Sequence, residues 1–320
     1  AGEESRVTGE MQRIDQRIGI LGAGLIGMSW TSLFLAKGCD VVVVDPDPEA
    51  RDRLERFLGP ARRNLPDRGI ARGACPAVPV VTQDIAALAD VEFVQENGPE
   101  DLTAKRGIIA ETERVISPEV VIASSTSSLR ASDMQKDALH PGRILVAHPM
   151  NPPHLVPMVE LVGGEATAPD TLDRAERFYT RMDRVTIRVK REVPGHLANR
   201  LTSALYREAV HLVAEGIADV ADVDRAIAYG PGMRWALMGP HMIYHLGGGA
   251  AGYRGYLDHL GPTQEARWAS LGTPTLDEAT RAKLIEGVAR ELEEMQPDTL
   301  IERRDAALVA LARLKASFDL

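Results

Sequence analysis

His148 and Glu160 stand twelve residues apart, and both are groups that a dry interior does not tolerate without a partner. Glu160 lies between Val159 and Leu161 in the apolar stretch LVPMVELVGG, where a buried carboxylate needs a hydrogen-bonded or charged neighbour. An imidazole meets that need. A carboxylate on one ring nitrogen fixes the tautomer and steadies the protonated ring, leaving the other nitrogen to take a proton from a hydroxyl. The pair therefore suits general base catalysis, although on their own the two residues read more readily as a surface group and a satisfied core pair. A second polar cluster, the run of hydroxyls from Ser124 to Ser128, follows the short apolar run VVIAS.

These groups need elements that carry them to one place. RIGILG (17–22) is a short apolar run ending in glycine, and the segment after it has helical spacing up to a stop at Gly38. Val41 to Val44, followed by Asp45, is β-branched and apolar on both faces, as in a strand buried inside a parallel sheet. Further strands are predicted at 91–96, 120–124, 143–148 and 185–190, with helical patterns between them. The fold class expected is an α/β Rossmann-type, doubly wound parallel sheet followed by an all-helical domain. The expected divisions are a flexible 1–16, a dinucleotide-binding domain over 17–190 and a helical substrate and dimerisation domain over 191–320. In such a sheet ligands bind beyond the carboxyl ends of the strands, which is where the hydroxyl run and His148 fall.

Gly22-Ala23-Gly24-Leu25-Ile26-Gly27 gives G-x-G-x-x-G at the first strand-to-helix turn. Gly22 permits the tight turn, Gly24 admits a pyrophosphate close to the backbone, and Gly27 lets helix pack on strand. Such a run alone is weak evidence, but the context is right. Asp45 lies eighteen residues beyond Gly27, placed to hold the adenosine ribose hydroxyls of NAD and to repel the 2′-phosphate of NADP. The alternative is that Asp45 caps the helix behind Pro46, and Arg51 and Arg53 weaken the NAD preference slightly.

Composition narrows the classes. The 320 residues are 44% hydrophobic and 26% charged, with 28 Gly and 20 Pro, which fits an ordinary globular chain. With 37 basic and 46 acidic residues the net charge is -9, so no positive field draws nucleic acid or anionic lipid. Cys39 and Cys75 are the two cysteines, too few for a disulfide framework and without a paired metal spacing. With no long apolar run, the reading is a cytoplasmic protein without a membrane partner. His241 and His245 lie one helical turn apart but lack a third ligand, so no metal is expected. Arg303, Arg304 and the acids of 291–294 read as solvated helix faces.

Taken together, GAGLIG, the GPEDLTAK segment, STSSL, HPMNPP, VEL and VPGHLANRL resemble the 3-hydroxyacyl-CoA dehydrogenase family, in that order and across essentially the whole chain. The resemblance implies His148 as general base, Glu160 as its orienting carboxylate, and Ser127 and Asn199 as hydrogen-bond partners of the substrate oxygen. It also implies Glu100 and Lys105 as NAD contacts, against the plainer reading of an exposed helix start. Between Asp45 and Glu96 the chain is shorter than acyl-CoA members and lacks their lysine-rich helical arm. The likeness is accordingly greater to the branch acting on free 3-hydroxy acids, the L-carnitine and L-gulonate (lambda-crystallin) 3-dehydrogenases.

That branch implies NAD-dependent oxidation of a small 3-hydroxy acid to the 3-keto acid by a homodimer, with an L-carnitine-like substrate leading and L-gulonate following. Arg234 suits a carboxylate, and Trp235 and Tyr244 suit a quaternary ammonium or simple packing. The competing expectations are a short-chain 3-hydroxyacyl-CoA dehydrogenase and an NAD-binding structural or sensor protein. Ser127, His148, Glu160 and Asn199 occurring together argue against the latter.

Overall fold

The computed structural model describes residues 16–63, 78–293, 295 and 297–320. The expectations placed on residues 1–15, on Cys75 and on much of the shortened segment after Asp45 lie outside these residues.

The first unit, which ends at Arg200, is built on eight strands: β1 (Arg17–Leu21), β2 (Asp40–Val44), β3 (Val80–Thr82), β4 (Phe93–Glu96), β5 (Val121–Ser124), β6 (Ile144–Pro149), β7 (Met158–Gly163) and β8 (Val185–Val189). Their order across the sheet is β3-β2-β1-β4-β5-β6-β7-β8. Helices α1 (Leu25–Ala36), α2 (Ala50–Arg63), α3 (Leu102–Glu113), α4 (Ala131–Gln135) and α5 (Pro169–Arg181) connect them. The central strands are buried along their length because both faces are covered. One apolar cluster gathers Trp30 and Phe34 of α1 with Phe178 and Tyr179 of α5; the other gathers Ile109 of α3 and Met134 of α4.

The sheet is not wholly parallel. β6 and β7 pair antiparallel, because only residues 150–157 separate them and a parallel crossover needs a dozen or more residues. β7 and the short edge strand β3 carry no distinct strand signal in the sequence: β7 follows a proline-rich link, and β3 has three residues.

The second unit, Leu201–Leu320, continues α6 (Ala198–Ala214) and adds α7 (Val220–Tyr229), α8 (Pro231–Trp235), α9 (Pro240–Gly247), α10 (Gly252–Ser270), α11 (Glu278–Glu293) and α12 (Pro297–Ser317). Its described residues contain no strand. The division between the units falls at residue 200, later than residue 190, because the segment from 196 to 199 bonds to groups of the first unit.

Candidate active site

The antiparallel pairing of β6 with β7 explains the spacing of twelve. His148 and Glu160 are direct cross-strand partners, so their side chains share one face of the sheet with their Cβ atoms within about 5.5 Å. His148 Nδ1 lies 2.8 Å from Glu160 Oε2, and both side chains are almost wholly buried. Glu160 Oε1 accepts the backbone N–H groups of Leu197 at 2.7 Å and Ala198 at 2.9 Å. These are orphan donors at the start of α6, where the helix dipole also favours negative charge. Burial pushes the Glu160 carboxyl up, but the His148 hydrogen bond and the two backbone donors outweigh it and hold it below the usual carboxylate range. A charged Glu160 takes Nδ1–H, leaving His148 Nε2 for chemistry.

Facing this dyad is a cavity of about 380 Å³, lined by Ile26, Asn97, Glu100, Lys105, Ser125, Ser127, His148, Pro149, Met150, Asn151 and Asn199 among others. Ser127 is held by Glu100, whose Oε1 accepts the Ser127 and Ser128 backbone N–H groups at 3.0 and 2.9 Å and the Thr126 hydroxyl at 2.7 Å. Burial pushes Glu100 up, yet the Thr126 and Ser128 hydroxyls and the Lys105 charge hold it below its usual range. Asn199 Nδ2 donates to the Ser127 carbonyl at 3.3 Å. The four residues assigned to substrate chemistry thus surround or support one cavity.

Lys105 differs from the exposed-helix reading. It is 1% exposed, and its Nζ donates to both Glu96 oxygens at 2.9 Å and to the Gly98 carbonyl at 3.1 Å. Glu96 also accepts the Ser124 hydroxyl at 2.5 Å. Glu96 and Asn97 carry no role in the sequence analysis, where Glu100 is the acid of this region. Their signal is the polar run Gln95-Glu96-Asn97 at the end of an apolar strand. Asn97 Oδ1 accepts the Ser125 hydroxyl at 2.7 Å, and Ser125 Oγ in turn accepts from Trp30 Nε1 at 3.1 Å, fixing the hydroxyl run to α1.

At the glycine turn, Gly22 has φ +87° and its N–H donates to the Val44 carbonyl at 2.9 Å. A Cβ on Gly27 would meet the Gly22 carbonyl oxygen at 1.9 Å, whereas one on Gly24 would meet nothing within 4 Å. The space over Gly24, beside the free N–H groups at the start of α1, is the cradle a pyrophosphate requires. Leu25 is exposed there and Ile26 lines the cavity. Asp45 follows β2, and α2 does not begin until Ala50, so Asp45 is not its cap. Its oxygens accept the Ala23 N–H at 2.5 Å and the Asp47 N–H at 2.9 Å, with lone pairs remaining for ribose hydroxyls. Arg53 is engaged by Asp47 and by the Ala23 carbonyl.

In the second unit, Arg234 and Trp235 end α8, and both are exposed. Tyr244 of α9 stacks on Tyr256 of α10 with ring centroids 4.3 Å apart. His241 Nδ1 is taken by the Tyr253 hydroxyl at 2.8 Å, and His245 Nδ1 accepts the Tyr253 N–H at 3.2 Å.

A doubly wound sheet with an open glycine cradle, an acid after β2 and a carboxylate-anchored histidine defines an NAD-dependent dehydrogenase. The chain belongs to the 3-hydroxyacyl-CoA dehydrogenase family: the NAD binding domain model matches residues 17–193 and the C-terminal domain model residues 195–287. It is 43% identical over 299 residues to an L-carnitine dehydrogenase of Streptomyces griseus, covering 93% of this chain and 89% of that one. An L-carnitine dehydrogenase of Bacillus cereus is 40% identical, covering 93% and 92%. Among solved structures, a 5-formyl-3-hydroxy-2-methylpyridine 4-carboxylic acid 5-dehydrogenase, described as an NAD+ dependent dismutase, is similar at 28% identity with a TM-score of 0.82, covering 95% of this chain and 99% of the other. No helix of the described residues is long and apolar enough to cross a membrane.

Proposed function

We propose that the chain oxidises the 3-hydroxy group of a small free 3-hydroxy acid, with L-carnitine as the leading substrate. The observation that carries this reading is the His148–Glu160 hydrogen bond on the wall of a cavity that also holds Ser127 and Asn199. The substrate preference is supported by the relatives named L-carnitine dehydrogenase. His148 Nε2 takes the hydroxyl proton as the carbonyl forms, while Glu160 steadies the positive ring. Ser127 and Asn199 donate to the substrate oxygen. Gly22, Gly24, Leu25, Ile26, Gly27 and Asp45 are assigned to holding NAD, with Glu100 and Lys105 as further contacts. NAD, when bound, supplies the acceptor for the hydride leaving the carbinol carbon.

Asp45 should exclude NADP, because a 2′-phosphate would meet a carboxylate at contact distance. Steady-state kinetics with both cofactors are expected to favour NAD clearly; an equal or better kcat/KM for NADP removes Asp45 from this role.

For the substrate tail, the reading assigns Arg234 to the carboxylate and Trp235 and Tyr244 to the quaternary ammonium. A cation–π contact is worth roughly 0.5–2 kcal/mol and is made equally in ground and transition states. Trp235→Leu is therefore expected to raise KM for L-carnitine several-fold with little change in kcat. An unchanged KM assigns Trp235 to packing.

The reading also includes a cytoplasmic homodimer. Two cysteines suit a reducing compartment, and the second unit leaves Trp268, Ile285 and Phe318 each about two-thirds exposed. L-Carnitine, L-gulonate and a short 3-hydroxyacyl-CoA, each assayed with NAD, test the function. L-Carnitine should give the highest kcat/KM, and activity confined to the CoA ester would overturn the free-acid reading.

A further inference from the structure

Residues 196–199, where the chain turns into α6, bond to both halves of the substrate-facing cluster: the His196 ring reaches the hydroxyl run, Leu197 and Ala198 hold Glu160, and Asn199 holds Ser127. We infer that His196 is a positioning residue, whose neutral ring ties the Thr126–Ser127 backbone to the ring of His148. The inference rests on the reading of His148 as the base.

His196 is 2% exposed, and its ring centroid lies 5.2 Å from that of His148 at an interplanar angle of 44°. Its Nε2 lies 3.2 Å from the Thr126 carbonyl oxygen. A carbonyl only accepts, so Nε2 carries the hydrogen and Nδ1 is the bare nitrogen of the neutral ring. Nδ1 is buried with no hydrogen-bond partner among the described residues. A second proton would therefore sit on a buried nitrogen with no acceptor, beside a ring that itself gains charge in turnover.

The titratable groups that act on His196 are His148, Glu160 and Glu100. Burial and His148 together hold its ring below the usual histidine range, against the opposing pull of the Thr126 carbonyl and the two carboxylates. The backbone carries the same implication. His196 has φ +51° directly after Gly195 at φ +77°, a left-handed turn that aims the next two N–H groups at Glu160. An apolar side chain would fill the space without an orphaned nitrogen, so packing alone does not account for a histidine in a left-handed conformation.

The test compares His196→Asn with His196→Gln in the full-length protein. Asn tolerates the left-handed backbone but is too short to reach Thr126, whereas Gln offers an amide donor near the position of Nε2. Misplacing a catalytic group by about 1 Å costs up to about 100-fold, so His196→Asn is expected to lose at least about tenfold in kcat. Its NAD affinity should be unchanged, the acid limb of its kcat/KM profile should move, and Gln should restore most of kcat. Ring-nitrogen NMR of the wild-type protein should show His196 neutral, with hydrogen on Nε2, throughout the pH range in which the protein is active. Equal kcat losses in both variants, lost thermal stability with kcat and pH profile intact, or hydrogen on Nδ1 would each overturn the inference. The NMR result stands apart from the base assignment: full activity in His148→Ala would defeat that assignment and leave the His196 tautomer measurement valid.

Discussion

His148→Ala and Glu160→Ala are each expected to lower kcat by about 10²- to 10⁴-fold, the range a positioned general base contributes. The two residues act through one proton transfer, so the losses should not add, and the double variant should be little worse than either single one. NAD affinity should stay near that of the wild type, because neither residue belongs to the glycine turn. Losses that multiply would mean the two side chains act independently despite the 2.8 Å contact between them. The acid side of stability should report on the same group. Glu160 has a folded-state pKa below its ordinary value, so it contributes stability above the unfolded value that is lost as pH falls through the depressed one. Glu160→Gln should flatten this part of the pH–stability profile, and an unchanged profile would contradict the assignment.

Lys105→Met is expected to destabilise the protein by roughly 3–5 kcal/mol, measured by urea unfolding, because it strands Glu96 in the interior without its countercharge. The two side chains are 1% and 0% exposed, so water cannot compensate. Replacing both, Lys105→Met with Glu96→Met, should recover much of the loss, since a buried pair exchanged for apolar groups is often near neutral. If Lys105→Met unfolds like the wild type and loses only NAD affinity, Lys105 is a cofactor contact whose pairing with Glu96 contributes little.

What the sequence disclosed and what it withheld divide along physical lines. The first βαβ unit was legible because Gly22, the apolar run Val41–Val44 and Asp45 have strictly local requirements: a turn, a buried strand and a carboxylate at its end. The dyad was legible as a need, since Glu160 among apolar neighbours demands a partner. Its geometry was not, because the antiparallel register that pairs His148 with Glu160 is a relation between strands. Glu96 was passed over because Glu100 stands in the same segment with a similar spacing, and only the fold shows Lys105 turning inward to Glu96. His196 was passed over because a histidine after glycine has no local signature, and its role follows from a left-handed turn and a nitrogen without a partner.

The most direct test of the central claim uses L-carnitine carrying deuterium at C3, incubated with the protein and NAD, followed by mass analysis of the reduced cofactor. Wild-type protein should transfer the deuterium to NADH, and His148→Ala should form little or no labelled NADH under the same conditions. Unlabelled NADH from the wild type, or labelled NADH formed at an undiminished rate by His148→Ala, would contradict oxidation at the 3-hydroxy carbon with His148 as the base.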